Sequence, residues 1–111
     1  MPTPDISDYN ELFLRTAKDH VKALEELVLK LEATGPTPKI TEEIFRQAHS
    51  LKGSSSVMGF KKITDLCTQI DQTIHPGDGK DRFEKKQTAE ISRCIVEIKN
   101  ILENSTTYTN T

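Results

Sequence analysis

Between Leu12 and Leu31 the apolar residues return every three or four positions. Leu12, Phe13, Ala17, Val21, Leu24, Leu27, Val28 and Leu31 make one stripe, with Thr16 and His20 on the same line. That is the period of an α-helix with one side turned to a core. The first helix is expected to run from about Ser7 or Asp8, either of which could cap it, to Ala33. A second is expected to start near Thr41, a suitable cap, with Glu42 and Glu43 placed to favour the helix dipole. It carries Ile44, Phe45, Ala48 and Leu51 and can continue to Met58. A third holds Ile63, Leu66, Cys67, Ile70 and Ile74, and a fourth, starting near Asp81, holds Gln87, Ile91, Cys94, Ile95, Ile98, Ile101 and Leu102. No stretch alternates as a strand does. The breaks are Gly35-Pro36-Thr37-Pro38, Pro76-Gly77-Asp78-Gly79 and, more softly, Gly59 after three serines. Short connections favour antiparallel neighbours, so the pattern predicts an all-α, antiparallel up-and-down four-helix bundle. A single domain is expected over 1–111, with an ordered core of about 7–104 and a polar, threonine-rich tail over 105–111 expected to be flexible.

Composition narrows the function classes. A hydrophobic fraction of 34% suffices for a narrow core, and 29% charged residues with a net charge of -2 describe an ordinary water-facing surface. There is no basic footprint for nucleic acid and no polybasic patch for anionic lipid. No apolar run approaches the roughly 20 residues that span a bilayer. The segment MPTPDISDYN lacks the basic start and apolar stretch of a secretory signal, so a cytoplasmic location is the expectation. Cys67 and Cys94 sit among apolar residues without ligand-like spacing and read as reduced core thiols rather than a disulfide or metal pair.

His49 does not fit the core pattern. Counted at about 100° per residue from Ile44, the core direction of the second helix lies close to 10°, and His49 falls near 140°. Lys52, Gly53 and Ser56 fall near 80°, 180° and 120° on the same count. An exposed imidazole is a nucleophile whose neutral form is well populated at neutral pH. An incoming phosphoryl group needs positive charge nearby, which the Lys52 ammonium can supply. A second protein needs room to approach, and Gly53, Ser54, Ser55 and Ser56 have almost no side-chain bulk. Glycine and serine are poor helix formers, so helix stability alone does not select them. A lone histidine on a helix surface usually does nothing, and it is these neighbours that single out His49. His20 lies on the apolar stripe of the first helix and reads as a partly buried packing residue, and His75, before Pro76, as a turn residue. The three histidines share no short spacing, so no metal site is expected.

The run His49-Ser50-Leu51-Lys52-Gly53-Ser54-Ser55-Ser56-Val57-Met58-Gly59-Phe60 resembles the signature of histidine-containing phosphotransfer (HPt) domains. The family pattern places the phosphorylated histidine first, then lysine, glycine and small residues, and a further glycine, here His49, Lys52, Gly53, the serines and Gly59. Phe45 and Ala48 fit the usual context before the histidine. The resemblance implies a helical bundle with the histidine exposed on its second helix. It implies phosphorylation of His49, phosphoryl stabilisation by Lys52, and receiver docking over Phe45, Gly53 and Ser56, with Gly59 structural. Many members place a glutamate or glutamine, hydrogen-bonded to the ring, at the position occupied here by Asp71. Aspartate is one methylene shorter, so Asp71 is equally readable as a ring-orienting partner or as a solvated helix charge. Gln69 and Gln72 are nearby substitutes that the helical period does not favour.

Three functional classes remain. The leading one is a phosphorelay intermediate that exchanges a phosphoryl group between His49 and an aspartate of response-regulator receiver domains, with a histidine kinase as the other expected partner. Such a carrier is not an enzyme. The resemblance implies no cofactor of its own, with Mg²⁺ supplied by the receiver, and a monomer without nucleic-acid or membrane contacts is expected. A second reading makes the chain the phosphotransfer domain of a larger, hybrid or chemotaxis-type histidine kinase. No glycine-rich nucleotide loop, carboxylate pair or metal-ligand cluster appears in these residues. A third, an adaptor bundle, explains the helices but leaves the HSLKGSSS cluster to accident.

Overall fold

The computed structural model describes the backbone of residues 6–74 and 85–109, and the side chains of residues 10–74 and 85–105. Four helices make up the fold: α1 (Ile6–Thr34), α2 (Pro38–Val57), α3 (Lys61–Ile74) and α4 (Lys85–Thr109). Among the described residues each packs against two neighbours, in the ring α1–α2–α3–α4–α1, with no close backbone approach between diagonal helices. Cross-helix pairs follow the order of antiparallel neighbours. His20 meets Gln47 while Phe13 meets Phe60, and Gln69 meets Arg93 while Thr73 meets Gln87. Among the described residues there is no strand.

Local chemistry sets the helix ends. Gly35 ends α1 at φ 79°, donating its N–H to the Leu31 carbonyl at 2.9 Å. This left-handed conformation costs glycine little and other residues more. Thr37 caps α2, its hydroxyl accepting from the Ile40 N–H at 3.2 Å, and Pro38 follows in the first turn, where a missing N–H does no harm. The expected start at Thr41 is therefore corrected by one turn: a proline that looked like a breaker opens the helix instead. Thr41 donates its hydroxyl to the carbonyls of Thr37 and Pro38, and Glu42 and Glu43 fall beyond the first turn, both paired with Arg46. At the front, α1 starts at Ile6, so neither Ser7 nor Asp8 is its cap. The expected start near Asp81, the 76–79 break and His75 lie outside the described residues. At the far end α4 is described to Thr109.

The core is drawn from the predicted stripes, with Leu27, Phe45, Ile74, Gln87 and Ile101 only half-buried at their edges. Phe13, Ala17, Val21, Leu24, Val28 and Leu31 of α1 are buried, but Leu12 is 59% exposed and Leu14 is buried in its stead. Ile44, Ala48 and Leu51 of α2, Ile63, Leu66, Cys67 and Ile70 of α3, and Ile91, Cys94, Ile95, Ile98 and Leu102 of α4 complete it.

Both cysteines are free and buried. Burial is the main reason the Cys67 thiol is pushed up to about 12, with Cys94 adding to the rise and Lys52 opposing it. An unfolded thiol loses its proton near 9.0, while folded Cys67 keeps it to about 12. Above the unfolded value the unfolded chain binds fewer protons, so stability falls as pH rises, and below it the thiol contributes nothing. Urea denaturation at pH 8 and pH 10 should show wild type losing about 1 kcal/mol more between the two than Cys67→Ala. Equal losses would contradict the buried, protonated thiol.

Candidate functional site

α2 presents two unlike sides. Ile44, Ala48, Leu51 and Ser55 are buried, and His49, Ser50, Gly53, Ser56 and Val57 are exposed. His49 thus stands on the outer face of the helix, where the angular count placed it. One turn before it Phe45, half-buried, stacks on the imidazole with ring centroids 5.4 Å apart and planes 26° from parallel. The stack covers one face of the ring and leaves its edge to solvent, so Phe45 steadies the imidazole as well as lying on the expected docking surface.

Lys52 is half-buried on the side of α2 that faces α3, close enough to Cys67 for its charge to favour the thiolate. It is on the same side of α2 as His49, one turn on. Asp71 is half-buried on α3. Gln69 does not serve as its substitute: its side-chain oxygen accepts from Arg93 at 3.0 Å and from the Cys94 thiol at 3.6 Å, which turns it to α4. Gln72 is exposed. His20 is half-buried and its Nδ1 lies 2.6 Å from the Gln47 side-chain oxygen, a packing role joining α1 to α2.

The small residues after His49 divide by role, which their identities alone did not reveal. Gly53 and Ser56 are exposed and form low relief beside His49. Ser55 is not part of that surface. It is wholly buried, 2.8 Å from the Thr64 hydroxyl of α3, and also reaches the Lys52 carbonyl. Ser54 bonds back to the carbonyls of Ser50 and Leu51. Gly59 has φ 81°, and it ends α2. Its N–H donates to the Ser56 carbonyl at 3.2 Å and that of Phe60 to the Ser55 carbonyl at 2.9 Å, the paired bonds of a glycine-terminated helix. Phe60 then stacks on Phe13 of α1 at 4.9 Å, fixing the exit of the chain.

Gly53 is different, since nothing about its backbone requires glycine. It has no positive φ, and a β-carbon built there would meet nothing within 4 Å. Alanine is the better helix former by about 1 kcal/mol. Gly53→Ala should therefore raise the urea-unfolding free energy by about 0.5–1 kcal/mol, and a loss of stability would show a hidden contact. Among the described residues, no three His, Cys, Asp or Glu side chains group as a metal site would need. No described helix is long and apolar enough to cross a membrane.

Residues 8–105 match the family model described as "Hpt domain". The chain is also similar to part of longer proteins described as chemotaxis protein CheA. It is 36% identical over 69 residues to that of Halobacterium salinarum, covering 62% of this chain and 10% of the relative. To that of Klebsiella aerogenes it is 28% identical over 99 residues, 89% of this chain and 15% of the relative. To that of Bacillus subtilis it is 32% identical over 77 residues, 67% and 12%. The chain thus spans only about a tenth of the length of the relatives it matches. No solved structure matches it. A four-helix chain matched by the family model over nearly its whole length, with an exposed histidine on its second helix, belongs to the Hpt family of histidine phosphotransfer domains.

Proposed function

We propose that His49 is the phosphoryl acceptor, exchanging its phosphoryl group with an aspartate of receiver domains. The observation that carries this reading is the exposure of His49 on the outer face of α2, stacked on Phe45 and flanked by Gly53 and Ser56. In the forward step the unprotonated ring nitrogen attacks the phosphorus of an aspartyl phosphate. The N–P bond forms as the P–O bond to the aspartate breaks, the carboxylate leaves, and the other ring nitrogen keeps its proton. Lys52 offers positive charge to the phosphoryl oxygens, and Phe45 limits ring rotation. Asp71, on the neighbouring helix, is the candidate to hold the far ring nitrogen.

The chain contributes a carrier side chain, with no turnover of its own and no bound cofactor. The divalent cation that phosphoryl transfer requires is assigned to the receiver's acidic pocket. The side chains beside His49 support this, since a cation wants several converging oxygen ligands and here meets a lysine. The partners are receiver domains and a histidine kinase, and the working state is a monomer in the cytoplasm. A second reading, in which the chain is the phosphotransfer domain of a larger kinase, is favoured by the similarity to proteins about ten times its span. Both readings make the same chemical claim for His49. The test is incubation with a panel of phosphorylated receiver domains from the same genome. Acid-labile, alkali-stable label on the chain supports a phosphohistidine, and no label from any receiver or kinase leaves only the adaptor reading.

A further inference from the structure

The outer face of α2 continues beyond His49 and Gly53 to Val57, the last residue of the helix, spaced four and four along the chain. Val57 is 85% exposed, more than the other exposed large apolar side chains, Leu12, Leu29 and Val96. It lies about 12 Å along the helix axis from His49, well inside the footprint of a protein partner. Lys61 and Lys62 follow at the start of α3 and are both exposed. The bonds of the Gly59 turn and the stack of Phe60 on Phe13 hold these residues in fixed relation to α2, so a partner meets a surface that is already ordered.

The other half of α2 is different in kind. There Lys39, Glu42 and Arg46 are exposed and Glu43 is half-buried, with both glutamates paired to Arg46 at 3.4 and 3.6 Å. That half is balanced in charge, whereas Lys61 and Lys62 outweigh the one exposed carboxylate near them, Asp65. A partner that brings a phosphoryl group and a divalent cation in an acidic pocket is repelled by carboxylates and attracted by lysines. We propose that the phosphoryl-exchanging partner docks off-centre, over the C-terminal half of α2 and the start of α3, with Val57 as its apolar anchor and Lys61 and Lys62 as a charged rim. The proposal rests on the assignment of His49 as acceptor and adds the direction in which the partner lies.

The test uses the full chain and the receiver that labels it fastest, phosphorylated with acetyl phosphate, in single-turnover transfer at rising receiver concentration. Val57→Asp should raise the half-saturating concentration about tenfold or more, Val57→Ala a few-fold, and Val57→Ile little, since an anchor acts through buried apolar area. The limiting rate should hold in all three, because His49 and its neighbours are untouched. Lys61→Glu/Lys62→Glu should weaken saturation and flatten its dependence on salt. Leu29→Asp, at another exposed apolar site, on α1, should change nothing. Unchanged saturation by Val57→Asp with normal wild-type transfer overturns the off-centre docking alone. Sensitivity to Glu42→Lys and Glu43→Lys in place of the Val57 variants puts the partner over the other half of α2 and overturns it too. Absence of label on wild type, or label that survives His49→Gln, overturns the assignment of His49 itself.

Discussion

His49→Gln is expected to bring phosphoryl acceptance down to background while the helical circular dichroism and the urea midpoint stay where they are. The two halves of this result have separate causes. Glutamine matches part of the imidazole in size and polarity but offers no nucleophilic nitrogen, so the N–P bond cannot form. His49 is exposed and stacks on Phe45, so its loss should move the unfolding free energy by no more than about 0.5 kcal/mol. Label retained by this variant would direct attention to His20 or His75. Of these, His20 is half-buried against Gln47.

Two residues further on, Leu51→Ala should give the opposite result. Leu51 is 0% exposed and belongs to the same four-residue run as His49 and Lys52, yet faces Ile44, Ala48 and the helices opposite. Truncating a buried leucine removes its apolar contacts and leaves a cavity that the bundle only partly closes, which costs about 3 kcal/mol. For a domain of this size the thermal midpoint should drop by roughly 10 °C or more. Transfer measured well below the new midpoint should still proceed, since the outer face of α2 is intact. A variant with wild-type stability would mean that the core can refill the space, and loss of transfer in a fully folded variant would mean that the two faces of the helix are coupled.

What the sequence disclosed followed from periodicity. The four apolar stripes, the exposure of His49 and the half-buried state of His20 are all angular facts about helices, and these can be counted without coordinates. The misread points are those where one residue type serves two purposes. Pro38 reads as a breaker and opens α2, because the first turn of a helix needs no N–H from it. Leu12 lies on the stripe but outside the contact, since the stripe says which side faces inward and not how far round the packing extends. Among the serines, Ser55 is core and Ser56 is surface, a distinction carried by its angle and by Thr64 on a different helix. Val57 was not singled out from the sequence, although the same count puts it far from the core direction. Nor was Gln47, because its value depends on a histidine 27 positions away.

The division of α2 into an inner row and an outer row bears on how such chains diversify. Ile44, Ala48, Leu51 and Ser55 hold the bundle together, while Gly53, Ser56 and Val57 touch little of it. Substitutions in the outer row therefore leave the fold nearly unchanged, and those far enough apart act independently. After gene duplication, two copies can drift to different partners one outer residue at a time, with each intermediate still folded and still carrying its histidine. Crosstalk between parallel signalling routes can be reduced by that path without crossing a valley of unstable sequences.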